Sequence, residues 1–531
     1  MNLIYCYIIF VVGYGLSSVN VQASNILAFL PSETQSHFFG FTPLLKELVK
    51  KGHNLTLVSP YSLNNEFRNK YNYIHLEDSG FTKTINHMDK SSFVMKIINY
   101  IPSVIFILFG GPFISIKALD KDAVKNFIEN DKSNFDLVIF ENFFAESHVT
   151  LGHKYNAPVV QLVSANVNPR ISQWHGNPYH PGYIPEVTSN FPTNMTFIQR
   201  TINVAYMLCS TWLNKMIYIP QQKNMMNSYF KYPGYENRPD LGDMLGSISL
   251  TVYMSHSIVS TVTPHVPSYI PMAGTHIAPN KELPENLKTI MENAKDGVVF
   301  FSLGSVIQSS KMSNESVSMF LSVLGKIKQT VLWKWEDDQL PNLPKNIIVR
   351  KWFPQNDILG HPNCKLFITH GGVLSIIESF HHSVPILCMS IFADQDQNCM
   401  QASLKGMALH IPFFEVTSQR LSNSLQRLIN DPQFKNNALK NSAILKDTAI
   451  SILDNVIYWI EYVIRHNGAQ HLKTTANNHY WFQFLLLDVI VVCLLVLILI
   501  LYINFKCLSY IFRKYTTRKV SYSDKLPKKN Q

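Results

Sequence analysis

His370 stands directly before Gly371 and Gly372, between a short apolar run, Lys365-Leu366-Phe367-Ile368-Thr369, and a stretch from Val373 to Phe380 with a helical pattern. An apolar run that short reads as a buried parallel strand. A strand that passes through glycines into a helix aims backbone N–H groups and the positive end of the helix dipole at whatever lies above it. The chemistry this join can do is to bind an anion. Pro385-Ile386-Leu387-Cys388-Met389 reads as the next strand, and Phe392-Ala393-Asp394-Gln395 as the loop above its end. Polar groups therefore gather at the carboxyl ends of adjacent parallel strands, where open α/β sheets hold ligands.

The stretch from Trp352 to Asn398 resembles the signature of the membrane-anchored animal UDP-glycosyltransferases, most closely the insect ones. It carries W-x-P-Q at Trp352–Gln355, T-H-G-G at Thr369–Gly372, Ser375 and Glu378 in the helix, and D-Q-x-x-N at Asp394–Asn398. Taken singly, Trp352 would be read as core and Glu378 as a solvated helix residue. The set at this spacing carries the resemblance, which a lone glycine motif would not. It implies that Trp352 stacks on uracil and Gln355 meets the uracil edge. His370, the N–H groups from Gly371 and Gly372 onward, and Ser375 would hold the diphosphate. Glu378, one helical turn after Ser375, would take the ribose hydroxyls, and Asp394 and Gln395 the sugar hydroxyls. Three positions depart from the family's habits: Ser383 stands where Gly is frequent, Ser390 where Pro is frequent, and Leu374 where vertebrate members often have Asn.

The resemblance reaches the first half of the chain as well. It implies a catalytic base at His37, in Ser36-His37, although a loop histidine read from local sequence alone is more often a surface residue. It implies a carboxylate partner at Glu141, where the family often has Asp. Ser305, in Phe301-Ser302-Leu303-Gly304-Ser305, would face the phosphates. Trp174–Pro185 resembles family segments near the acceptor site; by itself it reads as a rigid, Pro-rich surface loop.

These residues need two parallel sheets to position them. Asn25–Leu30 and Leu55–Val58 read as strands around a helix with Phe41, Leu44, Leu45, Leu48 and Val49 at helical spacing. Thr42 can cap that helix, Pro43 suits its first position, and Gly52 ends it, which leaves Ser32–Phe39 as a polar loop holding His37. Residues 61–130 read as mostly helical, with Ile101–Phe113 too short and punctuated to span a membrane. Phe135–Phe140 and Pro158–Val163 are further strands, and Glu141 follows the first of them. The Pro-punctuated stretch Pro264–Pro284 reads as a link. Beyond it, Gly297–Phe301 and Thr330–Trp335 are strands, Asn314 can cap a helix, and residues 420–466 are helical, with the family's last helices returning to its first domain.

The ends carry targeting signals. Residues 1–23 read as a signal peptide, with an apolar run from Leu3 to Val12 and Val21-Gln22-Ala23 at the cleavage position. His471–Tyr480 is a polar linker, and Phe484–Ile503 is long and apolar enough to cross a membrane, with Trp481 and Tyr502 near its ends. The formal net charge is +10, of which +7 lies from Asn504 onward (eight Lys or Arg, one Asp). The basic balance thus belongs to a tail and gives no case for nucleic-acid binding. The chain ends Lys528-Lys529-Asn530-Gln531, which matches the dilysine retrieval signal of endoplasmic-reticulum proteins. Asn54, Asn194 and Asn314 head N-x-S/T sequons; Asn54 enters a strand, which leaves Asn194 and Asn314 as the expected glycosylation sites. Seven cysteines are too few for a disulfide scaffold. Cys364 and Cys388 read as buried thiols, and Cys209 and Cys399 are scattered with them, without metal spacing.

The expectation is a GT-B architecture: two Rossmann-like α/β domains facing a cleft, plus a C-terminal transmembrane helix. Residues 24–270 would bind the acceptor, 271–470 the UDP-sugar, 484–503 would span the membrane, and 504–531 would form a basic cytosolic tail. The resemblance implies inverting hexosyl transfer, glucose favoured, from a UDP-sugar to a small lipophilic acceptor. No cofactor and no metal is required; the UDP-sugar is a co-substrate. UDP-glucuronate as donor stays open, as do a catalytically inactive, membrane-anchored ligand-binding relative and a homo-oligomeric state.

Overall fold

The computed structural model describes residues 23–77, 111–166, 169–187, 189, 191–305 and 307–523. The expected signal peptide, most of Ile101–Phe113 and the dilysine end lie outside them. Strands β1 (Asn25–Phe29), β2 (Asn54–Ser59), β3 (Asn72–His75), β4 (Leu137–Glu141), β5 (Val159–Val163), β6 (Leu250–Tyr253) and β7 (Tyr269–Pro271) form one sheet. Its order is β3-β2-β1-β4-β5-β6-β7, parallel throughout. Strands β8 (Val298–Ser302), β9 (Thr330–Lys334), β10 (Ile347–Arg350), β11 (Cys364–Thr369), β12 (Ile386–Cys388) and β13 (Ala408–His410) form a second. Its order is β10-β9-β8-β11-β12-β13, also parallel throughout. Central strands such as β4 and β8 are buried along their whole length, as strands covered by helices on both faces must be.

In each sheet the order reverses at one place, between β1 and β4 and between β8 and β11. Chains leaving two neighbouring strands at such a point diverge and open a crevice. The segments after β1, β8 and β11 carry His37, Ser305 and His370, and Glu141 is the last residue of β4.

One hydrophobic cluster binds the two sheets into a single body. It holds Leu44 and Leu48 from the Gln35–Lys50 helix, Val252 of β6, Ile376 and Phe380 from the Val373–His381 helix, and Val456 and Ile460 from the Ile452–Arg465 helix. The last of these helices therefore packs on the first sheet's side, as expected, and Glu461 Oε1 lies 3.6 Å from Nε2 of the buried His53. Residues up to Lys473 form one compact unit and Thr474–Gln531 a second.

Several expectations need correction. The first helix begins at Gln35, not Thr42, so His37 lies in its first turn and Pro43 lies inside it. Burial of Phe38 and Phe41 one turn apart outweighs the proline, which removes only one helical hydrogen bond. Residues 61–77 hold only a short 3-10 turn, Asn65–Phe67, and Asn72–His75 forms the edge strand β3. Ser313, not Asn314, caps the Asn314–Leu324 helix, accepting from the Ser316 N–H. Trp174–Pro185 is more than a surface loop, since His175 is buried against Gln161 and Thr251. Cys388 is not a thiol but is bonded to Cys399, their Cα atoms 5.6 Å apart. The strand–loop–helix connection brings the two within disulfide reach, which spacing alone did not reveal. Cys364 is a buried free thiol as expected. The C-terminal helix starts at Leu487 and runs on to Ser523, past the twenty-residue span; by length and composition it can cross a membrane.

Ser383 sits at φ +58, a left-handed conformation that costs a side-chain-bearing residue ~1 kcal/mol and glycine almost nothing. Ser383→Gly is expected to raise unfolding stability by roughly 0.5–1 kcal/mol. A higher denaturant midpoint at unchanged slope would show it, and a lower midpoint would contradict it.

Candidate active site

His37 Nδ1 lies 2.7 Å from Glu141 Oε1, and the two side chains are 18% and 4% exposed. The contact joins the first turn of the Gln35–Lys50 helix to the end of β4, across the first sheet's reversal point. Glu141, one methylene longer than Asp, therefore reaches the imidazole in full hydrogen-bonding range. Phe143 meets the His37 ring edge-on, with centroids 4.6 Å apart. It holds the imidazole on the side that Glu141 does not, a role the sequence signalled only as an aromatic pair after a strand. A cavity beside the dyad is lined mainly by apolar groups, among them Ile114, Ala118 and Phe143, with Glu141 and the buried His148.

At the second reversal point, Thr369 of β11 pairs with Ser302 of β8, so the His370 turn and the Ser302–Ser305 turn lie side by side. Their closeness is why both are rich in glycine. A Cβ on Gly304 (φ +83) would come 2.5 Å from the His370 ring, and one on Gly372 2.7 Å from it. A Cβ on Gly371 (φ +88) would come 2.5 Å from Cys399 Sγ and 2.9 Å from Cys388 Sγ. The disulfide thus forms the floor under the glycine turn. Burial, with Lys334 nearby, holds His370 down at about 4. At neutral pH it meets a ligand as a neutral ring offering a hydrogen bond, not a charge. Lys334, which sequence reading passed over, donates to Gly304 O and to Glu336, each at 2.9 Å. It fixes the Ser302–Ser305 turn with its charge already paired.

Gln355 Nε2 donates to Ser375 Oγ at 3.1 Å and to Glu378 Oε2 at 2.6 Å, so three of the expected nucleotide residues form one cluster. Burial pushes the Glu378 carboxyl up to about 7, against the Gln355 bond. Trp352 stands away from this cluster's packing, 65% exposed, with its indole open to a stacking partner.

Asp394 precedes the Gln395–Leu404 helix, and its Oδ2 accepts from Asn398 Nδ2 at 2.9 Å. Burial pushes its carboxyl up, and the Asn398 bond and the proximity of His37 oppose this. His37 acts on Asp394 electrostatically, so the dyad and this loop face one another across the cleft. Gln395 turns its carbonyl oxygen onto the N–H groups of Ile391 and Phe392, at 2.9 and 3.2 Å. Its NH2 group is therefore the end that can reach a ligand. Gln397 and Gln401 both donate to Thr261 Oγ1, at 3.3 and 3.0 Å, and tie the helix to the segment after β6. A second cavity lies there, lined by Asp394, Gln397, Thr261, Thr263 and Tyr179 among others. Asn194 and Asn314 are exposed; Asn54, at the start of β2, gives its amide to Asn25 Oδ1.

A family model described as UDP-glucoronosyl and UDP-glucosyl transferase matches residues 26–521. The chain is 34% identical over 487 residues to UDP-glycosyltransferase UGT5 of Dactylopius coccus, covering 91% of each chain. It is 30% identical over 505 residues to human UDP-glucuronosyltransferase 2B7, covering 91% of this chain and 92% of that one. In fold it is similar to the glycosyltransferase VinC, solved with dTDP, with TM-score 0.56 at 14% identity over 83% of this chain and 100% of that one. A UDP-glucosyltransferase from Polygonum tinctorium gives TM-score 0.55 at 13% identity, over 84% and 99% of the two chains. Two parallel sheets with their reversal points facing one cleft are the GT-B arrangement, and with a family match over nearly its whole length this chain belongs to the UDP-glycosyltransferases, enzymes that use a UDP-sugar as co-substrate.

Proposed function

We propose that the protein transfers glucose from UDP-glucose to a hydroxyl of a small lipophilic acceptor, with inversion at the anomeric carbon. His37 takes the proton from the acceptor hydroxyl as its oxygen attacks C1. Glu141 fixes the ring through Nδ1, which leaves Nε2 as the basic atom, and stabilises the imidazolium as it forms. The C1–O bond to the diphosphate breaks on the opposite face, so an α-linked donor gives a β-glycoside and UDP. The charge on UDP is met by the dipole of the Val373–His381 helix, the N–H groups of Gly371 and Gly372, His370 and Ser305. Trp352 and Gln355 take the uracil, Ser375 the diphosphate, Glu378 the ribose, and Asp394 and Gln395 the sugar. The acceptor enters the apolar side of the cleft beside the dyad.

The observation that carries the donor assignment is the lining of the cavity beside Asp394. Its polar members, including Thr261, Thr263, Gln397 and Gln401, are uncharged, and Asp394 itself is an acid. A buried carboxylate needs a cation or several N–H donors, whereas a neutral hydroxymethyl group is served by hydroxyls and amides. The sequence from Leu241 to Asn280 also holds no Lys or Arg. We further assign the apolar Leu487 helix as a membrane anchor, with the body, glycosylated at Asn194 and Asn314, in the lumen of the endoplasmic reticulum and the basic tail in the cytosol. Positive tails stay on the cytosolic side.

His37→Ala should lower turnover by ~10²–10⁴-fold while UDP affinity holds, since base and nucleotide residues sit on different sheets; near-normal turnover would remove His37 from the role. Glu141→Gln should cost no more than this, and Glu141→Asp tests whether the longer side chain is matched to the site. With UDP-glucose and UDP-glucuronate at equal concentration and one phenolic acceptor, the glucoside should dominate the products; a dominant glucuronide would refute the donor assignment and leave the mechanism standing. In sealed microsomes, protease should remove the tail alone. Digestion of the whole body without detergent would reverse the topology.

A further inference from the structure

One buried imidazole beside the nucleotide residues has no task in this scheme. His276 lies in the turn after β7, where Gly274 at φ +90 redirects the chain from the first sheet toward the second. Its side chain is 6% exposed, and Nε2 is 3.7 Å from Glu378 Oε1. Neither ring nitrogen makes a well-formed hydrogen bond; the Leu374 backbone is in weak hydrogen-bond contact with the ring, and the nearby His381 opposes its charging. Buried polar atoms are nearly always paired, so an imidazole that stops just outside hydrogen-bonding range of a carboxylate marks an arrangement awaiting its ligand. Burial holds His276 down at about 4, so it is neutral and carries one N–H at neutral pH.

Glu378 faces two neighbours. Its Oε2 accepts from Gln355, and its Oε1 is the oxygen turned to His276. Ribose hydroxyls donate hydrogen bonds, so the site must present a carboxylate rather than a carboxylic acid, yet burial favours the acid. A neutral N–H aimed at Oε1 favours the ionised form and adds no competing charge. We propose that His276 is a positioning residue for ribose recognition, donating to Glu378 Oε1 in the nucleotide complex so that the carboxylate is ionised and oriented for the ribose hydroxyls. The proposal rests on the reading of Glu378 as the ribose acceptor. It makes the nucleotide site a shared structure: three members come from the second sheet's helices, and the fourth from the segment that joins the sheets.

The test compares inhibition by UDP and by 2′-deoxy-UDP, using the full-length membrane-bound enzyme and its own UDP-sugar turnover. The unaltered protein should prefer UDP, and Glu378→Gln should remove most of that preference. His276→Ala should shrink the preference by about 3–10-fold, the effect of one hydrogen bond, while inhibition by 2′-deoxy-UDP changes by less than about twofold. His276→Asn, which keeps a donor, should restore part of it, and the double variant should lose no more than Glu378→Gln alone. If His276→Ala weakens both inhibitors equally, the residue only packs, and the proposal is wrong. An undiminished preference in His276→Ala alone overturns it too, with Glu378 keeping its role. If Glu378→Gln retains the full preference, the ribose reading of Glu378 fails first and this inference falls with it.

Discussion

The 2.7 Å contact between His37 and Glu141 exists because β1 and β4 are neighbours that send their chains in different directions. His37 lies eight residues beyond the end of β1 and Glu141 is the last residue of β4, so both sit at the carboxyl ends of the same neighbouring strands. The carboxylate must be buried to hold the ring. A buried carboxylate must be paired, so the imidazole that it orients is also what makes it tolerable there. Both residues are then immobilised by packing: Phe143 on the ring, Phe38 and Phe41 under the helix that carries it. Under the proposed function, a base fixed in this way loses little freedom when an acceptor arrives, which is where orientation contributes most to rate.

The proposed diphosphate site opposite poses a different problem, meeting a polyanion beside a lysine whose charge is already paired. Lys334 is turned inward onto Gly304 and Glu336, and His370 is neutral. Under the proposed function, what meets the diphosphate is the helix dipole and a series of N–H donors in a buried turn, where such dipoles act strongly. Glycines are needed because the turns press on His370 and on the Cys388–Cys399 bridge, not because the loop is loose.

The two-sheet fold was legible in the chain because its central strands are short apolar runs ended by glycine or acid, and because the strand–glycine–helix join at His370 has few other uses. The placement of Ser375 and Glu378 one turn apart followed from helical spacing. Other features were hidden for definite reasons. Pro43 looks like a helix start, and only the tertiary burial of Phe38 and Phe41 shows that the helix begins at Gln35. Asn72–His75 carries too little hydrophobic pattern to read as a strand, being an edge. Cys388 and Cys399 are eleven positions apart, a spacing that means nothing until the intervening loop is known to double back. His276 lies in a stretch whose prolines mark it as a connection, and nothing local says that its side chain is buried beside Glu378.

The positions that depart from the family's habits show how one architecture absorbs change. Leu374 lies in the first turn of the Val373–His381 helix, and its methyl groups stand 3.6 Å from where a Cβ on Gly40 would be. An apolar side chain there adds to the core that joins the sheets. Ser390 supplies a hydroxyl bonded to Asp396 at 2.5 Å and to His410 at 2.7 Å, so the loop before Asp394 is held by hydrogen bonds where a proline ring would hold it by restricting φ. The Cys388–Cys399 bond spans the same loop from beneath. Asp394 therefore sits in a segment fixed at both ends and from below, and Ala393 beside it accepts φ +61, a strain that persists only where the surroundings over-determine the backbone. Rigidity in this loop is the counterpart of the fixed His37–Glu141 pair across the cleft: under the proposed function, sugar and acceptor are each met by side chains already held in place.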